Sequence, residues 1–593
     1  MTAQPVVIPI EIESTFNEEQ KEYLAGFMLA AARRGNTLFA GHTAGGLLTA
    51  DSASGTTNLA APQEMYFDTP VDELCKEERI KYEEHPLDIW EKLLAHARDD
   101  RFPEGGDVFR FKFHGLFYVA PAQDSFMLRL RTPGSILTST QMRGVAEMAE
   151  DWGGGEAHIT TRSNLQIREL QPKNIVRVLM KLQELGMSSR GSGADNIRNI
   201  TATPTSGLDP QGILDVAPLA QALNFYILNS RDLYGLPRKF NVAFDSGGAI
   251  SVVADTNDIA FVATRVAQGR SVPAGRYLRV QLCGITGHRQ FASDCGILVT
   301  AEQAVAVAAA MIRVFNENGD RTDRKKARLK YLIDRWGMGR FLEEVEARLA
   351  FPLLRFPAAE CEPRAAVDQH GHLGVHPQQQ PGLSYIGVAV PVGRLSPAQM
   401  RVVSAIAEEY GSGEIRLTVW QNLLLPNIAN KDVEAARRAL ASAGLSDSAA
   451  SFTAGAVACT GNNGCRYAAT DTKRHALALA SYLDQRFTPD RPLNLHVTGC
   501  PHSCAQHYIG DIGLLGVKVG GEEGYQVSIG GGTDERQGLA RELIPAIRFA
   551  DLPPMMEKLF HAFEAKRHAG ESFLEYARRH DIADLKQQAG VEA

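Results

Sequence analysis

The sequence predicts an α+β protein made of two pseudo-symmetric halves. Three observations carry this: the length, an internal repeat, and the order of elements that the repeat carries with it. At 593 residues the chain has room for about three to five domains. A shift of 258 residues carries Gln141-Met142-Arg143 onto Gln399-Met400-Arg401, Gly155-Glu156 onto Gly413-Glu414, Asn164-Leu165 onto Asn422-Leu423 and Gly186 onto Gly444, with no change of register. Two copies so far apart do not make a solenoid, which needs several short repeats. They read as a duplication, and a cleft between two halves suits a large ligand.

Each element follows from its residues. Residues 1–105 carry helical patterns, with Asn17-Glu18-Glu19-Gln20 opening toward an apolar run at 23–32 and a polar Gly/Ser/Thr stretch at 41–57, and read as a partly extended N-terminal segment. From Phe126 the pattern alternates: Met127-Leu128-Arg129-Leu130-Arg131 reads as a strand, Thr132-Pro133-Gly134 as a turn, 140–149 as a helix and 158–167 as the next strand. The second copy repeats the order, but the chemistry diverges. Where the first half has Arg131 and Arg162, the second has Ala389 and Trp420. After the repeat, the first half has Asn196-Ile197-Arg198-Asn199, and the second has half of the chain's cysteines. Near the end, Gly530-Gly531-Gly532 after a strand-like 525–529 reads as a turn, or as a place where backbone approaches a cofactor.

The composition, 44% hydrophobic and 22% charged with 54 Gly and 28 Pro, is that of a soluble globular protein and excludes collagen-like, coiled-coil and disordered chains. With 62 Lys plus Arg against 69 Asp plus Glu, the net charge of −7 argues against holding nucleic acid by bulk charge. The apolar run at 304–312 falls far short of the roughly 20 residues a membrane span needs, and the acidic start at Glu11, Glu13, Glu18 and Glu19 lacks a signal-peptide pattern. The expectation is a cytoplasmic protein with no membrane or nucleic-acid partner.

Eight cysteines are too few for a disulfide scaffold. Cys75, Cys283, Cys295 and Cys361 are scattered and read as small buried hydrophobes. The other four form Cys459-x5-Cys465, then 34 intervening residues, then Cys500-x3-Cys504. Four thiolates suit zinc or an iron–sulfur cluster, and the wide first gap with Gly461, Gly464, Gly499 and Pro501 beside the thiols favours the cluster.

Ala458-Cys459-Thr460-Gly461-Asn462 through Cys465, with Gly499-Cys500-Pro501-His502-Ser503-Cys504, resembles the signature of the sirohaem-containing nitrite and sulfite reductases, over roughly residues 105–590. That family usually has Asn where this chain has His502. The resemblance implies a 4Fe-4S cluster on Cys459, Cys465, Cys500 and Cys504, with Cys504 bridging to the sirohaem iron. It also implies that each half is a ferredoxin-like (parachute) subdomain plus a larger α/β subdomain for sirohaem and cluster. The expected boundaries are 1–105 for the N-terminal segment, 106–190 and 191–350 for the first half, and 380–448 and 449–593 for the second.

The same resemblance places Arg131, Arg162, Lys239 and Asn241 at the substrate, and Arg198, Asn196, Asn199 and Arg238 at the eight carboxylates of sirohaem, which need cationic and amide donors. Lys239 and Asn241, two residues apart, share a face if their segment is a strand. The family's sulfite reductases have Lys at both places, whereas its plant and cyanobacterial nitrite reductases have Lys then Asn. Nitrite carries less charge than sulfite, and a second cation about 4 Å away is worth roughly 4 kcal/mol at an effective dielectric near 20. The expected activity is therefore assimilatory six-electron reduction of nitrite to ammonium. Sulfite reduction, a precorrin-3B synthase-like reaction, or a non-catalytic Fe–S electron carrier stand as alternatives. No G-x-G-x-x-G module is evident, so electrons come from outside, from reduced ferredoxin or a flavoprotein subunit, to a monomer. Lys473-Arg474-His475 is one candidate docking patch, against the reading of a solvated helix face.

Overall fold

The computed structural model describes residues 64–368 and 370–591. The helical run at 23–32 and the polar stretch at 41–57 lie outside the described residues.

Two five-stranded sheets arise from the repeat, and each takes an edge strand from the other half. The first orders Leu116–Tyr118, Phe126–Arg129, Leu165–Leu170, Ala157–Ile159 and, from the second half, Arg394–Leu395. The second orders Gly374–Pro377, Leu383–Val388, Leu423–Ala429, Glu414–Leu417 and, from the first half, Ile136–Thr138. The exchange obeys the sequence shift: Ile136 pairs with Arg416 and Arg394 with His158, while Leu137 pairs with Ile415 and Leu395 with Ala157.

The repeated residues have defined work. Gln141 and Gln399 complete capping boxes with Thr138 and Ser396, starting the helices Ser139–Asp151 and Pro397–Tyr410. Met142 and Met400 on those helices are fully buried in one apolar core that spans both halves. Arg143 reaches Glu408 at 2.6 Å, and by the same symmetry Arg401 pairs with Glu150.

Each half adds a larger sheet. The first orders Thr201–Ala202, Val242–Asp245, Ile259–Val266, Gly275–Leu282, Ser293–Val299 and Leu354–Arg355, and the second Ala456–Ala458, Leu495–Thr498, Ile512–Val519, Glu522–Ile529 and Arg541–Arg548. In both, the first three strands are parallel and the rest antiparallel. Parallel strands need covered faces, and each sheet packs on its own core with helices such as Ala304–Asn318 and Leu552–Lys566.

Residues 64–105 join the body. Ile89 and Leu93 enter the shared core, and the helix Lys76–Glu83 buries Glu78 and Lys81. Glu78 meets Arg321 at 2.6 Å and Lys81 at 2.5 Å, and Lys81 stands 3.7 Å from Asp195, so every buried charge there has an opposite neighbour. No helix among the described residues is long and apolar enough to cross a membrane.

Candidate functional site

The four clustered cysteines sit at the C-terminal ends of two adjacent parallel strands. Cys459 follows Ala456–Ala458, and Cys500 and Cys504 follow Leu495–Thr498. This is where open sheets with parallel strands bind ligands. Gly499 donates its backbone N–H to Cys459 Sγ at 3.3 Å, and Cys459 N–H binds the Val497 carbonyl at 3.0 Å. The thiols feel one another. Burial, and then the charges of Cys504, Cys459 and Cys465, push Cys500 up to about 12, with the backbone near His502 opposing; burial and Cys504 raise Cys459. As thiolates the four would repel one another, and a cationic centre would offset that repulsion. Among the described residues no three His, Cys, Asp or Glu side chains converge on one point as a single metal ion needs.

The glycines between the thiols are needed for close approach. A Cβ on Gly464 would lie 2.0 Å from Arg168 Nη2, which instead donates to the Gly464 carbonyl at 2.8 Å, and Gly461 has φ +76°. His502, at the variant position, places Nδ1 3.5 Å from Cys500 Sγ. The other four cysteines are scattered as expected; burial pushes Cys283 and Cys295 up to about 12 and keeps them as thiols.

Beside Cys504 lies a cluster of cations. Burial lowers Arg162 to about 10 and Lys239 to about 7; Arg328 adds to both shifts, and Cys504 opposes both. Lys239 has no hydrogen bond or ion pair with the described residues. Burial, Arg129 and then Arg238 and Arg328 lower Arg198 well below its ordinary value, with Asp195 opposing. Asn241, 7% exposed, uses its backbone N–H on Asp258 Oδ2 at 2.8 Å and leaves its amide free of hydrogen bonds to the described residues. The nearby carboxylates are already engaged: Asp258 holds Arg328 at 2.6 and 3.0 Å, and Asp195 holds Arg324 at 2.6 and 2.9 Å. A half-buried group of cations with spent carboxylates is a place for a polyanion.

The structure does not bring all the expected residues to this pocket. Arg131 is 3% exposed and donates to Asn224 Oδ1 at 2.8 Å and the Ile197 carbonyl at 2.9 Å, so its guanidinium holds the fold. Arg129, which sequence reasoning passed over, lies within electrostatic reach of Cys504 instead. Asn199 accepts from Thr132 N–H at 2.8 Å and donates to the Arg162 carbonyl at 2.9 Å, and Asn196 donates to the Gly193 carbonyl at 2.8 Å. Both asparagines therefore position Arg162 and neighbouring loops through backbone. Arg238 lies at the pocket, 3.9 Å from Asp195. The docking patch is corrected outright: Lys473 and His475 are 2% and 3% exposed on the inner face of the helix Thr472–Asp484, Lys473 donating to the Val392 carbonyl, and only Arg474 reaches solvent.

A duplicated α+β fold with four clustered thiols beside an anion pocket defines an iron–sulfur oxidoreductase of the two-half type. The chain belongs to the nitrite and sulphite reductase family. It matches the nitrite and sulphite reductase 4Fe-4S domain over residues 193–353 and 449–593, and the nitrite/sulfite reductase ferredoxin-like half domain over 119–185 and 376–443. It is 34% identical to a ferredoxin–nitrite reductase of Synechococcus elongatus over 82% of this chain and 96% of that protein. It is 35% identical to a chloroplastic ferredoxin–nitrite reductase of Zea mays, over 82% and 89%. An assimilatory ferredoxin-dependent nitrite reductase of Haloferax mediterranei is 30% identical over 79% and 84%. The solved structure of the Mycobacterium tuberculosis NirA protein superposes with a TM-score of 0.80 at 26% identity, covering 86% of this chain and 97% of that one.

Proposed function

We propose that the protein is an assimilatory nitrite reductase that takes nitrite to ammonium with six electrons from reduced ferredoxin, holding sirohaem and a 4Fe-4S cluster. The observation that carries the choice of substrate is the pair Lys239 and Asn241: one unpartnered ammonium and one neutral amide at the pocket beside Cys504. A second cation at position 241 would favour a dianion over nitrite by up to roughly 4 kcal/mol before solvent screening. The similarity to ferredoxin–nitrite reductases of a cyanobacterium and of maize supports the same reading.

When bound, the sirohaem supplies an iron at which the nitrogen–oxygen bonds are reduced, with the cluster as its electron store. The protein's own residues do the rest. Arg129, Arg162 and Lys239 hold the anion and stabilise charge on each departing oxygen. Lys239 Nζ, which burial and Arg328 lower from the ordinary lysine value, is placed to donate a proton to the bound anion. Arg238 and Arg198, whose guanidinium now donates to the Ser192 and Ala194 carbonyls at 2.6 and 2.8 Å, would meet the carboxylates of the macrocycle, and Cys459, Cys465, Cys500 and Cys504 would hold the cluster.

The test is a visible and EPR spectrum of the purified protein, followed by turnover of nitrite and of sulfite with a reduced donor. Sirohaem bands with nitrite the better substrate are expected. A spectrum without them, or a higher kcat/KM for sulfite, overturns the reading.

A further inference from the structure

The pseudo-symmetry of the two larger sheets creates a second pocket in the second half. A shift of 253 residues carries Asn241 onto Asn494 and Asp258 onto Asp511, and their contacts move with them. Asp258 Oδ2 accepts from Asn241 N–H at 2.8 Å, and Asp511 Oδ2 accepts from Asn494 N–H at 2.9 Å. The following residues, Ile259 and Ile512, donate to the Asn241 and Asn494 carbonyls at 3.2 and 3.1 Å. One partner has no counterpart. In the first half Arg328 grips both oxygens of Asp258, whereas no arginine or lysine among the described residues forms an ion pair with Asp511.

Asp511 is 8% exposed, and its Oδ1 has no hydrogen-bond donor among the described residues. It lines a cavity of about 380 Å³ whose lining also holds a group of aromatic rings, with His370, Asp368, Asp490 and Glu564 as its other titratable groups. There Phe560 packs with ring centroids 5.0 Å from Phe452, 5.7 Å from Phe487 and 5.1 Å from Phe573. The arginines on the wall are engaged elsewhere: Arg567 with Asp490 at 2.9 Å, Arg491 with the Gly570 carbonyl at 3.2 Å and Arg536 with the Val367 carbonyl at 3.5 Å. Arg536 and Arg578 act on Asp511 only at a distance, without a direct ion pair; a buried carboxylate with no cation in contact is costly, and ring faces attract cations once water is excluded.

We infer that this cavity is a second binding site, for a small organic cation with an apolar or aromatic body, whose ammonium or guanidinium takes on Asp511 the place Arg328 takes on Asp258. The site lies apart from the four cysteines and the cations beside them, so it stands or falls independently of the reading given above.

The probe is phenethylammonium, titrated into the full-length holoprotein by calorimetry and ligand-observed NMR, with 3-phenylpropionate as the anionic match. Saturable millimolar or tighter binding of the cation is expected, and none of the carboxylate. Asp511→Asn, which keeps an acceptor for Asn494 N–H, weakens the cation by about tenfold or more, and Phe487→Ala weakens it too, as loss of a charge-assisted contact or of a ring face requires. Because burial holds the Asp511 carboxyl at about 6, with Arg536 and Arg578 opposing, binding to the unaltered protein is weaker at pH 5 than at pH 8. That comparison needs no variant to fold. No saturation up to tens of millimolar, equal binding of 3-phenylpropionate, or an affinity unmoved by both pH and Asp511→Asn overturns the inference.

Discussion

Arg129 and Arg131 stand two residues apart in one segment, yet Arg129 lies within reach of the Cys504 thiol while Arg131 is locked to Asn224 and the Ile197 carbonyl. A regular strand would aim both the same way. The strand Phe126–Arg129 ends between them, and Arg131 instead forms an isolated bridge with Ser188.

The two arginines therefore fail differently when replaced. Arg131→Met orphans the buried Asn224 and Ile197 acceptors and costs about 3 kcal/mol of stability, seen as a lower Tm, with kcat/KM of the folded fraction little changed. Arg129→Met keeps the Tm within a few degrees and lowers kcat/KM for nitrite at least tenfold. Thermal unfolding and steady-state kinetics on the two variants, with the effects reversed, would refute the assignment.

Asn241→Lys should raise the ratio of kcat/KM for sulfite to that for nitrite, because the new ammonium stabilises the dianion more than the monoanion. On the role proposed for it, Lys239 is the acid only while protonated, so kcat/KM falls as pH rises through its pKa, which burial and Arg328 set below the ordinary lysine value. Lys239→Arg, which stays charged, removes that alkaline limb, and a limb at unchanged pH in this variant would assign it to another group.

The cysteines and the duplication were legible because their information is local. Fixed spacings between thiols survive in the sequence, and Gln141 and Gln399 recur because each closes a capping box three residues into a helix. Arg328 gave no such signal: it precedes the helix Leu329–Trp336 and reaches the site only through tertiary packing on Asp258. Lys473 and His475 misled for a related reason, since a run of charge does not say which helix face is buried. Asn196 and Asn199 look like ligands in the sequence, but an amide satisfies backbone equally well, and here it does.

Iron and acid-labile sulfide content separates ligands from bystanders. Cys459→Ser, Cys465→Ser and Cys500→Ser should each lose most of the cluster, whereas Cys283→Ser, in the apolar core of the first large sheet, should keep it. If Cys504 links the two centres, as the family signature implies, Cys504→Ser should remove the magnetic coupling between sirohaem and cluster. Full coupling in that variant would reassign the bridge.

Stability should depend on histidines that burial keeps neutral. His114, His370, His496 and His507 are held at about 4 and His158 at about 3, in each case first by burial. Their folded values lie below the ordinary 6.5, so the unfolded chain binds more protons between about 4 and 6.5 and stability rises with pH across that window. Their contribution is fully present above 6.5 and is lost on acidification. Asp511 at about 6 and Asp534 at about 7 act in the opposite sense: raised by burial, they add stability below the ordinary carboxylate value and lose it as pH rises through their folded values. A tenfold difference in proton affinity between the folded and unfolded chain is worth about 1.4 kcal/mol, and five histidines outweigh two carboxyls. The Tm at pH 5 should therefore fall several degrees below that at pH 7.5. His370→Gln, which removes one of the five titrations while keeping a side chain able to meet Asn494, should make the dependence shallower, and an unchanged slope would show that His370 does not contribute to it.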